Sequence, residues 1–392
     1  MSNPPPHPTG RLLAVAGLFL KLGATSFGGP AAHTAIMELE VVRRRQWLTH
    51  AEFLDLIGAT NLIPGPNSTE MAIHIGHRRA GFPGLIVAGV CFILPATLIV
   101  TVLAWAYVRF GSLPRVAGLL YGVKPVIIAV VTQALWKLGK TAVKTRLLAT
   151  AGLAGLALSL FGVNELAILF LTGFAIALSK LPARPGKISV SSASPSLGGL
   201  AGSPMLAAAA SGLASATACG LGALFLFFLK VGSVLFGSGY VLLAFLRADL
   251  VERWHWLTEG QLLDAIAVGQ ITPGPLFTTA TFIGYLLCGP AGAVVATVGI
   301  FLPAFFFVAI SGPLLPRLRA SPFAGGFLDG VNVASLALMA VVTWQLGGSA
   351  LVDGFTVMLA VGAAFVLLRY RVNSIWLVLG GVAIGLIKEL LY

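Results

Sequence analysis

The chain repeats itself. Phe19-Leu20-Lys21, followed by Phe27-Gly28-Gly29-Pro30, returns as Phe228-Leu229-Lys230 followed by Phe236-Gly237-Ser238-Gly239. Trp47-Leu48-Thr49 returns as Trp256-Leu257-Thr258, Asp55 as Asp264, and Pro64-Gly65-Pro66 as Pro273-Gly274-Pro275, all at an offset of 209 residues. The offset then drops to 208, pairing Gly84 with Gly292, Leu94-Pro95 with Leu302-Pro303, Gly122-Val123 with Gly330-Val331 and Trp136 with Trp344. A register held from residue 19 to residue 136 with one single-residue slip marks two copies of one structural unit. Whatever the unit folds into, the chain must build it twice.

The unit is made of apolar segments such as Leu85–Tyr107 and, in the second copy, Phe355–Leu368. With 57% hydrophobic and 10% charged residues, the 392-residue chain has too little charge to cover a soluble surface. A helix needs about 20 apolar residues to cross a bilayer. The fold class is therefore all-α, a polytopic membrane protein. In the first unit the apolar pattern predicts crossings at 11–28, 83–108, 115–137, 146–161 and 164–180, with 49–63 and 66–80 as a helical hairpin that enters and returns. Five crossings is an odd number, so the second unit is expected upside down relative to the first, as in inverted-topology repeats with broken or re-entrant helices. Residues 1–10 read as an N-terminal tail, 11–180 as the first repeat and 205–392 as the second. Residues 181–204, rich in Pro, Ser and Gly, read as a cytoplasmic linker. The apolar stretch 205–218 either extends the next span or adds a short one. Arg11–Phe27 reads as a retained first span, since no small-residue cleavage site follows it.

Charge placement bears on the same question. The first unit has basic ends at Arg43-Arg44-Arg45, at His77-Arg78-Arg79, from Lys137 to Arg146, and from Lys180 to Lys187. The matching ends of the second unit hold Arg247 and Arg253 against Asp249, Glu252, Glu259 and Asp353, and the basic ends move to Arg317/Arg319 and Arg369/Arg371. Inverting the units puts these clusters in the cytoplasm, as the positive-inside rule asks, with Arg109 and Arg115 as exceptions. Membrane orientation thus accounts for the net charge of +12 better than nucleic-acid binding does.

Two helix-breaking elements recur: Phe27-Gly28-Gly29-Pro30 with Phe236-Gly237-Ser238-Gly239, and Pro64-Gly65-Pro66 with Pro273-Gly274-Pro275. Irregular backbone at membrane depth is tolerated where it is buried in protein or lines a wet cavity. Helices restarting at Pro30 and Pro66 would aim free amides and positive dipole ends there; the alternative is a tight turn outside the bilayer. Asn61, Asn67, Ser68 and Thr69, and in the second unit Gln270, Thr278 and Thr279, surround the breaks. Their donors suit an oxyanion, although such groups also bond ordinary helix backbone. Lys21 and Lys230 form a symmetric ionisable pair inside apolar spans, fit either to bracket a dianion or to snorkel to an interface. Lys124 is a weaker candidate, because the repeat has Asn332 there. Glu70 and His74, one helical turn apart, resemble a proton-relay pair without a counterpart in the second unit, and His33 likewise faces Leu242. No phosphate-binding loop, dinucleotide fingerprint or nucleophile elbow is present, so neither an ATP-driven pump nor an enzyme is expected, and no cofactor.

These motifs, together with Phe82-Pro83-Gly84 through Phe92-Ile93-Leu94-Pro95, Phe236-Gly237-Ser238-Gly239-Tyr240 and Gly269-Gln270-Ile271-Thr272-Pro273-Gly274-Pro275, resemble the chromate ion transporter family in its long, two-domain form. The resemblance covers nearly the whole chain. It implies a secondary transporter exporting chromate, or a sulfate-like oxyanion, across the bacterial inner membrane, and with it chromate resistance. It does not identify the residues that touch the ion. Transport of another organic anion or a lipid is the alternative; a membrane enzyme or scaffold would need a catalytic constellation that the sequence lacks. Small-residue faces such as Gly152-Leu153-Ala154-Gly155 would pack within one chain or in a homo-oligomer.

Overall fold

A computed structural model describes residues 8–111, 113–180, 220–236, 239–370 and 372–391. The linker 181–204, the stretch 205–218, and Gly237 and Ser238 lie outside the described residues. The first half comprises α1 (Pro8–Thr25), α2 (Gly29–Glu38) running into a π-helical turn (Leu39–Arg44), α3 (His50–Thr60), α4 (Asn67–Phe110), α5 (Pro114–Ala142), α6 (Arg146–Leu160) and α7 (Glu165–Ser179). The second comprises α8 (Leu221–Val234), a 3-10 turn (Gly239–Val241), α9 (Leu242–Leu246) with its own π-helical turn (Arg247–Arg253), α10 (Glu259–Ile271), α11 (Thr279–Ala320), α12 (Pro322–Ala350), α13 (Gly354–Tyr370) and α14 (Ser374–Leu391). Among the described residues, four segments are long and apolar enough to cross a membrane: Asn67–Phe110, Gly118–Ala142, Leu276–Ser311 and Pro322–Ala350. The shorter apolar helices α6, α7, α8 and α13 have 14 to 17 residues.

The repeated motifs have local causes. Thr49 and Thr258 are helix N-caps: each hydroxyl accepts from the amide three residues on (both 3.2 Å), and the side chains of Glu52 and Gln261 accept from the Thr amides in return. These reciprocal bonds satisfy the amides that start α3 and α10. Within α4 and α11 the chain reverses at Gly81 (φ 66°, ψ −154°) and Gly289 (φ 61°, ψ −154°), a region of backbone space open essentially to glycine alone. Each reversal lays the incoming arm on the outgoing one. Gly76 lies against Gly84 and Gly284 against Gly292, so near that a Cβ on either would strike the opposing carbonyl. The one-residue slip of the repeat falls between the Pro-Gly-Pro and this hairpin. α4 begins at Asn67, whereas a 3-10 turn (Leu276–Thr278) precedes α11.

The halves are not side-by-side domains. α1 packs on α4, α8 on α11 and α4 on α11, forming one bundle; α5 packs on α12, α13 and α14, and α12 on α6 and α7, forming a second. Both bundles therefore take helices from both halves. In the second, Gly122 of α5 meets Gly381 of α14, and the matched Gly330 of α12 meets Gly173 of α7. Lys144, just past α5, pairs with Asp329 near the start of α12 (3.0 Å), while Tyr121 near the start of α5 reaches Asp353 beyond the end of α12 (2.5 Å). The matched helices α5 and α12 thus run in opposite directions. At the Tyr121 end, hydrogen bonds from the Tyr121 hydroxyl and the Thr356 amide hold the Asp353 carboxyl down at about 2.

No atom lies within 4 Å of a Cβ placed on Gly81 or Gly289. Substitution by alanine there is expected to cost only the backbone strain, about 1–3 kcal/mol. Thermal unfolding in detergent checks this against Gly17→Ala, a helical site equally free of neighbours, which is expected not to destabilise.

Candidate functional site

A Pro-Gly-Pro removes amide donors and stops a helix. The glycine between then takes a torsion that side chains avoid, φ 139° at Gly65 and 95° at Gly274. Its remaining amide has a defined partner. Gly65 N donates to Leu235 O (2.7 Å) and Gly274 N to Ser26 O (2.9 Å). Leu235 and Ser26 are themselves equivalent positions, each ahead of a Phe-Gly break. The four breaks are therefore tied in two crossed bonds, each joining one half to the other. Ser26 O also lies 3.1 Å from the buried His33 Nε2.

Beside these breaks, between the two bundles, lies a cavity of about 960 Å³. Gly28, Gly29, Pro30, Asn61 and Asn67 line it from the first bundle, and Gln133, Lys137, Asn332 and Ser335 from the second. Asn67 Nδ2 donates to Asn61 Oδ1 (3.1 Å), which ties the start of α4 to the end of α3. Lys144 and Lys180 also stand on the wall, and both ammonium groups bind Asp329 (3.0 and 2.6 Å). Lys137 has no carboxylate partner among the described residues. Three lysines against one aspartate make the cavity positive and draw anions into it.

The sequence-derived candidates divide sharply. Gly28, Gly29, Pro30, Asn61 and Asn67 reach the cavity. Lys21 and Lys230 do not line it; they sit in equivalent ion pairs, Lys21 with Glu40 (3.4 Å) and Lys230 with Asp249 (2.8 Å). Ser68 and Thr69 are buried at the start of α4, and the Thr69 hydroxyl has no hydrogen-bond partner among the described residues. The hydroxyls of Thr278 and Thr279 bond the backbone carbonyls of Pro275 and Leu276. Gln270 Nε2 is buried without a partner, and Gly239 is buried in the 3-10 turn that also contains Tyr240. Glu70 is 0% exposed, and neither carboxyl oxygen has a hydrogen-bond partner among the described residues. It lies under Gly65, where a Cβ would strike the carboxyl group. His74, one turn on, has an unpartnered Nε2. Sequence reading passed over Lys137, Lys144 and Lys180 because it used them only as topology charges, and it passed over Asp329. An aspartate inside an apolar helix was the available signal.

The sequence profile of chromate transporters matches residues 13–178 and again 222–386. The chain belongs to the chromate transporter family. Its likeness to individual members extends along its length. It is 34% identical over 387 residues to a "Chromate transport protein" of Cupriavidus metallidurans, covering 97% of this chain and 94% of that one. It is 34% identical to a "Probable chromate transport protein" of Synechococcus elongatus (88% and 87% covered) and 33% identical to a "Chromate transport protein" of Pseudomonas aeruginosa (88% and 82% covered). No solved structure matches the chain.

In this transporter the crossed glycine bonds hold the breaks beside the cavity. Gly65→Val and Gly274→Val are expected to abolish anion flux while folded protein remains in the membrane, because β-branching opposes the required torsion. Flux in liposomes, read beside the elution of each variant as a monodisperse species, checks this; normal flux in both would make the turns mere connectors.

Proposed function

We propose that this chain exports chromate, and tetrahedral dianions like it, from the cytoplasm across the bacterial inner membrane as a secondary transporter. Membership of the family and the names of its relatives support the substrate class. The observation that carries the reading is the positive cavity where the helix breaks of one bundle face the other bundle. A dianion leaving a negative-inside cell gains about 4.6 kcal/mol per 100 mV, twice the ~2.3 per charge. That alone sustains about a thousandfold gradient, so export needs no ATP.

Inverted halves follow from the same reading. The opposed directions of α5 and α12 favour them, and so do the ion pairs. Glu38 lies near Arg43 (3.4 Å) and His50 (3.5 Å); at the equivalent positions Arg247 pairs with Glu252 and Glu259. The geometry repeats with the signs exchanged, as expected of two ends that face opposite sides of a membrane. Residues 139–146 then face the cytoplasm and 347–353 the periplasm. Cysteine labelling from outside tests this: equal accessibility of those two matched segments would remove the inverted arrangement.

Within the site, we assign the substrate's charge to Lys137, with the Asn61 and Asn67 amides as donors. Lys21 and Lys230 already serve carboxylates. Stripping a dianion of water is too costly to balance with neutral groups alone. Lys137→Gln is expected to weaken chromate binding about tenfold or more, and Lys21→Gln by less than about twofold. Titration of the purified protein with chromate, sulfate, phosphate and molybdate, followed by flux of each into liposomes, separates the substrates. Equal binding by Lys137→Gln and the parent would show that the helix ends carry the anion.

Glu70 and His74 are the proposed site of any proton coupling. The observation behind this is a fully buried carboxyl with two free oxygens against the Gly65 break. Glu70→Gln is expected to remove the dependence of chromate flux on a pH gradient while flux driven by membrane potential survives. A pH-gradient dependence unchanged in Glu70→Gln would exclude the pair.

A further inference from the structure

The two ends of the molecule are built on equivalent positions but differ in packing. In the second half the 3-10 turn and α9 pack on α12, and α10 packs on α5 and α12. The equivalent elements, α2 and α3, make no comparable packing with α5 or α12 among the described residues, and the cavity occupies that space. One end is bridged across the bundles and keeps only a smaller cavity of about 450 Å³, beside Arg247 and Gln345; the other is open.

The closed end is bridged by named contacts. Arg247, 9% exposed, donates to Gln345 Oε1 of α12 (2.7 Å). Asp264 of α10 receives the Tyr107 hydroxyl (2.9 Å) and pairs with Lys124 of α5 (3.2 Å). The repeat carries Arg247 onto Glu38 and Gln345 onto Lys137. Glu38 sits at the end of α2 and Lys137 on the cavity wall of α5, and no ion pair joins them. At the closed end an arginine already neutralised by Glu252 and Glu259 meets a neutral glutamine. At the open end the equivalent positions carry an acid and a base that lack each other.

We propose that Glu38 and Lys137 form a salt bridge that seals the cavity when the halves exchange conformations, as the Arg247–Gln345 contact does at the other end. The proposal rests on the inverted halves proposed above and adds that they exchange conformations during transport. In the open form Lys137 is free to hold an anion. As α2 approaches α5, Glu38 competes for the same ammonium group. Closure and loss of the anion from this side of the site are then one event, because one cation cannot fully serve two anions in a space that excludes water. Glu38 is a positioning residue in this scheme: it acts through Lys137 and need not touch substrate.

Two experiments on the full chain in liposomes test this. The first is oxidative cross-linking of Glu38→Cys/Lys137→Cys, with the joined peptide identified by mass spectrometry and each single variant as control, since the chain has three native cysteines. A 38–137 disulfide is expected, although the two side chains are apart in the open form. The second is kinetic. Glu38→Gln is expected to lower maximal chromate flux about tenfold, the effect of ~1.4 kcal/mol, with chromate binding unchanged or tighter, and Glu38→Asp to recover much of the flux. Failure to form the disulfide in a folded double variant, or parental flux in Glu38→Gln, overturns the latch. If the parent moves no oxyanion at all, the cross-link still decides: its formation upholds the latch and removes only the chromate assignment.

Discussion

A bilayer interior offers backbone no water to bond, so helix breaks set among apolar spans are costly unless protein satisfies them. Here the satisfaction is mutual. The Pro-Gly-Pro of each half gives its one central amide to the carbonyl ahead of the other half's Phe-Gly break. Neither half can meet this need alone, which explains why the bundles mix helices from both. It also fixes where chemistry is available. The breaks are thereby brought together, and a cavity beside them inherits glycine backbone and short amide side chains as its walls.

Much of this was legible before any coordinates. The repeat predicted equivalent elements, and the matched Thr caps, Pro-Gly-Pro turns and π-helical turns follow it. The sequence reading paired 49–63 with 66–80 as a hairpin across the Pro-Gly-Pro; the reversal at Gly81, which lays the start of α4 on its continuation, was not anticipated. The exchange of helices between bundles was not legible. A repeat specifies what each half contains but not which half its helices bury against. The small-residue contacts that decide it, Gly122 on Gly381 and Gly330 on Gly173, look in sequence like any other membrane-helix glycines.

The lysines mark the same limit. Lys21 and Lys230 stood out because they repeat inside apolar spans, and a buried ionisable group in a membrane is a functional candidate by default. Their partners Glu40 and Asp249 lie 19 residues away, beyond a break, on the π-helical turns. No periodic pattern joins them. Lys137, by contrast, sits in a basic segment that orientation already explained, so nothing in its sequence neighbourhood distinguished it from an anchor. Pairing decides which cation is available to a ligand, and pairing is a property of the fold.

The asymmetry between the two ends is written into side-chain size as well as charge. Where the cavity has Ser335, Gln133, Ala134 and Asn332, the repeat places Ile127, Val341, Val342 and Lys124 at the closed end. Bulk and a cross-half ion pair narrow one vestibule to about 450 Å³; small and polar groups leave the other at about 960 Å³. If the two halves were identical in sequence, the open and inverted conformations would have equal energy by symmetry. Under the proposed exchange of conformations, divergence of the halves would set a preferred side, and the cavity open in this structure is the one bearing Lys144 and Lys180. Under the proposed export reading that bias is useful: with the positive cavity toward the cytoplasm, the empty molecule would stand open to the anion, and the membrane potential would drive a bound dianion outward.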